Sequence, residues 1–411
     1  MNRPYEYFRF VIYYYVLFGG IVTLYIHGHR VVVMYALLLL NFGISKLFIN
    51  DAQHMTRAQV GVALTWAYNL IIVWSCYDDH WSRVLWKGTD RDHVMMEWCS
   101  NYRFMILKCI SFNMDRYYAL KSRRRESGEG RDIGANDSNK LYRSCFEMRY
   151  LQWQSGYDNV WCYMGYMLYM PLYFAGPIIS YHDWLAQIQS HFLQFQFHNK
   201  QQHSSFVYDY VRDKHLHWKS IMVYVMKLLC AWLVFEVMLH HLYLFNLSKY
   251  AYGYAGGSSI NMYASNDKHK KTLAVFMHLF VTHALWLKFY IIWRFYRSIA
   301  CMDGMYTIEN MQRCAHHNHS VLGFWKYWHT SFNHWNMKYM FIPLGGSRSS
   351  VFIGQRVLNI ALVFVFTCTW HGDFNSSLFS WAALMVALTA LELLGTWVYW
   401  TVIAPLFDSL R

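Results

Sequence analysis

The sequence has 411 residues, of which 55% are hydrophobic, 20% aromatic and only 15% charged, whereas about 25% of the residues of a soluble domain are charged. This composition excludes a chain of ordinary soluble domains and predicts one integral membrane domain. The formal net charge of +13 is spread between hydrophobic segments, which excludes a nucleic-acid-binding face and indicates contact with anionic membrane lipids.

Apolar segments of the length needed for a membrane-spanning helix, roughly 20 residues, run through the whole chain. They are residues 5–26, 31–50, 58–76, 159–180, 219–246, 272–295, 351–370 and 377–404. Two shorter pieces, 94–113 and 324–342, carry more polar residues, and we expect re-entrant or interfacial helices there. The sequence therefore predicts a single all-α multi-pass membrane domain over residues 1–411, with about seven to eleven crossings.

The polar parts of the chain are predicted to be loops and a retained anchor. No small-residue cleavage site follows the first apolar run, so the first helix is expected to remain as an anchor. Residues 121–143 contain few apolar side chains and several arginines, which predicts a flexible loop on the cytoplasmic side. Residues 246–271 form a second predicted polar loop, to which we assign no side.

Several predicted helices contain polar side chains. An orientation towards the interior of a helix bundle or an interface is the favoured interpretation, because such groups normally point away from lipid, and a polar cavity stays open as an alternative. The residues are Asn41, Lys46, Asn69, Glu236, His240, His241, His278 and His283.

The nine cysteines show no paired spacing, and an odd number argues against a complete disulfide framework. A metal site could be drawn from a short segment with one cysteine and three histidines, namely Cys314, His316, His317 and His319. Ligands crowded this closely rarely converge on one tetrahedral ion without partners from elsewhere in the chain. We therefore predict no metal and interpret the segment as an interfacial histidine-rich turn.

A dense aromatic segment at residues 324–335 is predicted to form one amphipathic helix that ends before Pro343. One face of this helix would hold Trp325, Trp328, His329, Phe332 and Trp335. A histidine on an apolar face is most often a hydrogen-bonded packing residue. From this segment alone, packing is therefore the favoured role of His329.

A second tryptophan-histidine pair ends an apolar run at Trp370-His371 and is followed by the polar residues 372–377. A helix over the run would deliver His371 to the edge of a polar break, where a headgroup could reach it. Histidine can act as a general base near neutral pH, since its unperturbed pKa is about 6.5. From the residues alone, general base and interfacial histidine are equally supported.

These segments resemble the membrane-bound O-acyltransferase (MBOAT) superfamily, and more closely its glycerol-uptake-protein and Hedgehog-acyltransferase-like branch. The resemblance rests on Phe324 to Trp335, on Lys338 to Ser347, on Trp370-His371-Gly372, on Tyr173 to Ile178 with its Ala-Gly-Pro-Ile, and on Ile110 to Asp115. The matches follow one another in order over residues 100–400. Lys338 departs from the family, which usually has arginine there and so a two-pronged donor.

The resemblance implies an MBOAT-type helical bundle around a central tunnel, in the membrane of the endoplasmic reticulum. It implies acyl-CoA as co-substrate without a bound cofactor, His371 as the catalytic histidine and His329 as the second signature position, which orients the acceptor or stabilises charge. Expected substrate-binding residues are Trp370, Trp328, Asn333, Trp335 and Lys338.

The resemblance leaves the acceptor open. The glycerol-uptake-protein branch implies a lysophosphatidylinositol-type lipid or a lyso form of a glycosylphosphatidylinositol (GPI) anchor, while the Hedgehog-acyltransferase branch implies a protein N-terminus. Because the second signature position is more often aspartate in the latter branch, His329 favours the lipid. A glycerol transporter and an inactive scaffold are further alternatives, but no internal repeat is evident and His371 is retained.

Overall fold

In the computed structural model, the described residues are 3–50, 53–77, 95–96, 98–126, 155–196, 217–242, 268–346, 353–371 and 376–409. All regular elements within these residues are helical. The α-helices are α1 Arg3–His27, α2 Val31–Phe48, α3 Met55–Tyr77, α4 Trp98–Glu126, α5 Val160–Met167, α6 Tyr181–Gln196, α7 Trp218–Leu242, α8 Lys268–Met302, α9 Val321–Tyr327, α10 Thr330–Asn336, α11 Ile353–His371, α12 Ser376–Val398 and α13 Ala404–Ser409. Short 3₁₀ turns lie at Gly28–Arg30, Ser155–Asp158, Met170–Leu172 and Ala315–His317, and π-helical turns at Met337–Phe341 and Tyr399–Ile403.

The chain forms two compact units. The first comprises Met1–Phe174, Ile178–Asp209 and His334–Arg411, and the second comprises Ala175–Pro177 and Tyr210–Asn333. The first unit therefore contains α1 to α6 and α11 to α13, and the second contains α7, α8 and α9.

Helix α4 lies at the centre of the first unit, where it packs against α2, α3, α5 and α6. It is 29 residues long, longer than the predicted piece 94–113, and much of it is buried. Its polar side chains are bonded inside the unit: Lys108 donates to the carbonyls of Tyr166 and Met167 at 3.2 and 3.3 Å, and Arg116 donates to Asp158 at 2.8 Å. Polarity therefore does not exclude this helix from the protein interior.

The predicted membrane span 159–180 is not one helix. Helix α5 ends at Met167, and a 3₁₀ turn containing Pro171 follows, because proline lacks the amide needed to continue an α-helix. The hydroxyl groups of Tyr163 and Tyr166 are buried and donate to the carbonyls of Leu38 and Ile179 at 2.9 and 2.8 Å. The segment thus belongs to the core of the first unit.

The asparagines in the predicted spans of the first unit face its interior, as expected. Asn41 and Asn69 are fully buried, and the Asn41 side-chain oxygen accepts hydrogen bonds from Asn69 and Asn113 at 3.0 and 3.2 Å. The Asn41 amide donates to Tyr163, and Asn113 also donates to Thr65. This network links α2, α3, α4 and α5, and it satisfies polar groups that lipid could not.

A glycine permits the close packing of α1 against α5. A Cβ atom on Gly19 would overlap the carbonyl oxygen and the Cβ atom of Leu168. The absence of a side chain therefore sets the distance between the two segments.

In the second unit α7 packs against α8. A polar cluster joins them to the segment after α8: Glu309 accepts from Arg294 at 3.1 Å and from the hydroxyl of Tyr224 at 2.8 Å, while Arg297 donates to the Thr307 carbonyl. Of the polar residues predicted in the spans, His240 and His241 are both exposed at the end of α7, unlike the buried asparagines of the first unit.

Apolar helices in the described residues are long enough to cross a membrane in six places, namely Glu6–Phe48, Met55–Cys76, Trp218–His241, Val275–Met302, Ile353–His371 and Phe379–Leu406. The first of these contains both α1 and α2, which were predicted as separate spans. Large apolar side chains such as Leu17 and Trp400, each 67% exposed, cover their outer faces. The chain is an all-α multi-pass membrane protein. Residues 121–126 and 268–271 were predicted as parts of loops but are helical, in α4 and α8, and the rest of the predicted loops 121–143 and 246–271 lies outside the described residues.

Candidate active site

His371 is the last residue of α11, and its side chain is exposed. Two bonds to one residue of α4 fix its position. The indole of the preceding Trp370 donates to the Arg103 carbonyl at 2.9 Å, and the Arg103 guanidinium lies 3.4 Å from the His371 carbonyl. The helix therefore delivers His371 to an exposed end, as predicted; residues 372–375, the start of the predicted polar break, are not described.

Two predicted tryptophans, Trp335 of α10 and Trp370 of α11, are bonded to α4. Trp335 donates to the Leu107 carbonyl at 3.1 Å, and Trp370 donates to that of Arg103, one turn earlier on the helix. The Trp335 ring also stacks on Phe366 of α11 with 5.4 Å between centroids. Both tryptophans are nearly fully buried, so their observed contacts are with protein, and contact with substrate stays a prediction.

Lys338 lies in the π-helical turn Met337–Phe341, and its ammonium group contacts the Asp115 carboxylate of α4 at 2.8 Å. Burial alone lowers the pKa of Lys338, but the carboxylates of Asp115 and Asp183 outweigh that effect and the pKa is raised. The predicted substrate-binding lysine thus has an internal anionic partner in the first unit.

Asp115 is the centre of a buried polar network. Besides Lys338, its carboxylate accepts from the Tyr339 hydroxyl at 2.8 Å and from the His182 backbone amide at 3.0 Å. Ser111 lies 2.9 Å from the Tyr339 hydroxyl. Two of the segments that carry the family resemblance therefore meet here, the one with Ser111 and Asp115 and the one with Lys338, together with the start of α6.

His329 does not lie on a continuous helix, so the prediction of one amphipathic helix over residues 324–335 is wrong. Helix α9 ends at Tyr327, Trp328 is extended, and His329 has a φ of 49°, the only positive φ of a non-glycine residue in the described part of the chain. The His329 carbonyl then accepts from the amides of Phe332 and Asn333, at 2.9 and 3.1 Å, and so begins α10. A sharp corner replaces the predicted amphipathic stripe.

A buried asparagine holds this corner. The Asn310 carbonyl accepts from the amide and the hydroxyl of Thr330, at 3.0 and 3.2 Å, and its side-chain oxygen accepts from the Ser331 amide at 3.1 Å. Asn310 is fully buried. The first donors of α10 are thus satisfied by a residue 20 positions earlier in the chain.

The corner places the His329 ring in an aromatic sandwich. It stacks on Trp293 of α8 with 4.2 Å between centroids and on Phe332 with 5.4 Å. Trp328 packs against Phe324 and Phe289 at 5.6 and 5.9 Å. Trp328 and Asn333, which were predicted to bind substrate, are half-buried, as is His329, and all three belong to the second unit.

The structure therefore groups the predicted residues in two sets. Trp335, Lys338, Trp370 and His371 belong to the first unit, while Trp328, His329 and Asn333 belong to the second. Three supporting residues escaped prediction as site residues: Arg103, Asp115 and Asn310. Asp115 was within a segment of the resemblance, but nothing in the sequence indicates the contacts of Arg103 or Asn310.

Chemically, the exposed imidazole of His371 can accept a proton, and the bonds between Arg103 and the Trp370-His371 pair hold the backbone that carries it. His329 is held by stacking on both sides, which fixes its ring plane. The buried Asp115 is already neutralised by Lys338, so its contacts indicate a role in holding the surrounding segments together.

Comparison with known proteins assigns the chain to a family. A model described as MBOAT, the membrane-bound O-acyltransferase family, matches residues 94–399. The membrane-bound O-acyltransferase GUP1 of Candida tropicalis is 27% identical over 390 residues, which cover 93% of this chain and 58% of that protein.

Two further similar proteins are also named as acyltransferases. GUP1 of Saccharomyces cerevisiae is 28% identical over 365 residues, or 87% of this chain and 53% of its own length. The mouse protein-cysteine N-palmitoyltransferase HHAT is 25% identical over 221 residues, or 54% of this chain and 38% of its own. The chain spans about half the length of the curated relatives it matches first. Because the family model covers well over half of the chain, the chain belongs to the membrane-bound O-acyltransferase family.

Proposed function

We propose that this chain is an acyl-CoA-dependent O-acyltransferase that esterifies a lipid hydroxyl. The observation that carries the proposal is the position of His371, an exposed imidazole at the end of an apolar helix, anchored through Trp370 and Arg103. Membership of the family, and relatives named as O-acyltransferases, support acyl transfer as the reaction type.

In the proposed reaction, His371 takes the proton from the acceptor hydroxyl as its oxygen attacks the thioester carbonyl carbon of acyl-CoA. The tetrahedral intermediate then collapses, the carbon–sulfur bond breaks, and the coenzyme A thiolate takes the proton from the imidazolium. The products are an ester and free coenzyme A, and His371 returns to its neutral form. A positioned general base contributes about 100- to 10,000-fold in rate.

The acceptor we propose is a lysophosphatidylinositol-type lipid or a lyso form of a GPI anchor, with remodelling of that anchor in the endoplasmic reticulum membrane as the process served. The proposal rests on the resemblance to the glycerol-uptake-protein branch and on a histidine at position 329, where the Hedgehog-acyltransferase-like branch more often has aspartate. We assign His329 to orienting the acceptor, and Trp328, Trp370 and their aromatic neighbours to contact with the acyl chain.

The test is acyl transfer in membranes that contain matched amounts of wild-type chain, His371→Ala or His240→Ala. Labelled acyl-CoA and lysophosphatidylinositol are supplied, and diacyl product is measured. We expect product from the wild type, at least about 100-fold less from His371→Ala, and an unchanged amount from His240→Ala, whose histidine is also exposed near a helix end. Equal product from all three would remove His371 as the general base.

One second function has an observation in its favour. HHAT, whose name describes N-palmitoylation of a protein cysteine, matches 54% of this chain. The same assay with a peptide that begins with cysteine in place of the lipid distinguishes the two acceptors. Acylated peptide without acylated lipid would select the protein acceptor.

The two remaining alternatives give other results. Glycerol flux without acylation of either acceptor would indicate a transporter, and the absence of any activity would indicate an inactive scaffold.

A further inference from the structure

Three potential metal ligands converge in the second unit, apart from the residues assigned to acyl transfer. His283 lies on α8, and Cys314 and His316 lie at the turn Ala315–His317. One ligand atom from each residue lies within 4.8 Å of the others, and Cys314 and His316 are accessible, half-exposed and exposed respectively. The sequence indicated only the turn; the partner from a distant element is supplied by the fold.

The hydrogen bonding of His283 prepares one of its nitrogens for a metal. Its Nδ1 lies 2.9 Å from the carbonyl oxygen of Leu279, one turn earlier on α8. A carbonyl can only accept, so Nδ1 carries the hydrogen and Nε2 carries the lone pair. Metal-bound histidines almost always donate their second ring nitrogen in this way, which fixes the tautomer and the ring orientation.

The turn that carries the other two ligands is held in place by the protein itself. The His317 amide donates to the Cys314 carbonyl at 3.0 Å, and the Asn318 side chain donates to the same carbonyl at 3.2 Å. Trp286 on α8 donates to the Arg313 carbonyl at 3.0 Å. The backbones of α8 and of the turn are therefore held in place before any ligand binds.

We propose that His283, Cys314 and His316 bind a divalent transition-metal ion of the zinc class. One sulfur and two imidazole nitrogens are a ligand set that zinc favours, and three protein ligands leave a fourth position of a tetrahedron for water or a further ligand. On binding, the Cys314 thiol releases its proton and coordinates as thiolate. The ion would tie α8 to the turn that precedes α9, and the proposal does not depend on acyl transfer.

Simple packing is the competing explanation. The rings of His283 and His316 are nearly parallel, with 4.2 Å between centroids and 11° between planes. Two stacked imidazole rings beside a thiol need no ion. The two explanations differ in a measurable way, because only a metal site gives a thiolate-to-metal bond.

The experiment uses the full chain, purified in detergent without a polyhistidine tag, stripped with a chelator and titrated with Co²⁺. Thiolate coordination produces a sulfur-to-cobalt charge-transfer band in the near ultraviolet, and tetrahedral geometry gives intense visible bands. We expect one Co²⁺ per chain with both signatures, displaced by Zn²⁺. Cys314→Ser should abolish the charge-transfer band. His283→Asn and His316→Asn should each weaken Co²⁺ binding at least about 100-fold, because loss of a group that only supports a ligand already weakens metal binding by up to about 100-fold.

Matched controls come from the same turn and from another accessible thiol. His317→Asn and Cys230→Ser change a histidine and an exposed cysteine outside the cluster and should leave the titration unchanged. His316 is exposed, so its variant is expected to fold, and thermal unfolding of each metal-free variant checks this. Absence of a charge-transfer band in the wild type, its survival in Cys314→Ser, or equal loss in His317→Asn would overturn the proposal.

Discussion

The left-handed backbone of His329 decides where its side chain goes. A φ of 49° costs an ordinary L-residue roughly 1–2 kcal/mol, and histidine, asparagine and aspartate are among the residues that tolerate it best. The corner turns the ring out of a helical stripe and into the stack with Trp293 and Phe332. Conformational tolerance is therefore a requirement at this position, beside any chemical role.

Substitution of His329 separates conformation from chemistry. His329→Ala and His329→Gly both lose the aromatic stack, but only glycine adopts the corner without strain, so we expect His329→Gly to be the more stable by about 1 kcal/mol. Thermal unfolding in detergent measures this difference, and acyl transfer is assayed in parallel. His329→Asn should unfold close to His329→Gly. An alanine variant more stable than the glycine variant would contradict a left-handed corner.

The Lys338–Asp115 pair is predicted to hold the π-helical turn on α4. Lys338→Met leaves the Asp115 carboxylate, which is 2% exposed, without its cation, and we expect a loss of about 3 kcal/mol in stability. Lys338→Met combined with Asp115→Asn removes both charges, so the double variant should lose less than the sum of the single losses. A double-mutant cycle by thermal unfolding measures this coupling, and strict additivity would show that the pair contributes nothing.

At the level of helices, the packing of α1 depends on Gly19. Gly19→Ala places a methyl group in the Leu168 carbonyl and forces the two segments apart, which typically costs about 1–3 kcal/mol. Gly43→Ala on α2 is the matched control. A Cβ atom there would meet nothing within 4 Å beyond its chain neighbours and the backbone of its own helix, and alanine favours a helix. We expect Gly19→Ala to lower the unfolding temperature and Gly43→Ala not to lower it. Equal behaviour would show that α1 does not approach Leu168 this closely.

The helices also show which parts of the fold a sequence can predict. Long apolar runs such as those in α1, α2 and α7 follow directly from composition, because lipid accepts only helices whose backbone bonds are satisfied internally. Helix α4 does not, since Lys108 and Arg116 reduce its hydropathy and are satisfied only by distant carbonyls and a carboxylate. The same holds for the break at residues 168–172, where buried tyrosines replace an apolar span.

The candidate site divides in the same way. The position of His371 at a helix end follows from an apolar run that stops at Trp370, so it was predictable. The corner at His329 was not, because it depends on Asn310, whose contacts no local pattern reveals. Lys338 could be recognised as a signature residue, but its partner Asp115 on α4 is known only from the fold.

For the whole molecule, two forces could hold the chain on a membrane: its net charge of +13 and its apolar helices. Each basic residue near an anionic surface contributes about 1 kcal/mol, and about 1 M salt screens charges beyond roughly 3 Å. A spanning helix, in contrast, is inserted almost irreversibly. The segment Glu6–Phe48 alone is 43 residues long and is apolar enough to cross a membrane.

We therefore expect washes with about 1 M salt and with alkaline carbonate to leave the chain in the membrane pellet, and detergent to release it. A soluble reporter that carries only a polybasic segment serves as the control, because salt should release it. The fraction of chain in each supernatant is measured by immunoblot. Release by salt would mean that charge holds the protein on the membrane, and the six apolar helical segments would then have to be buried against protein rather than lipid.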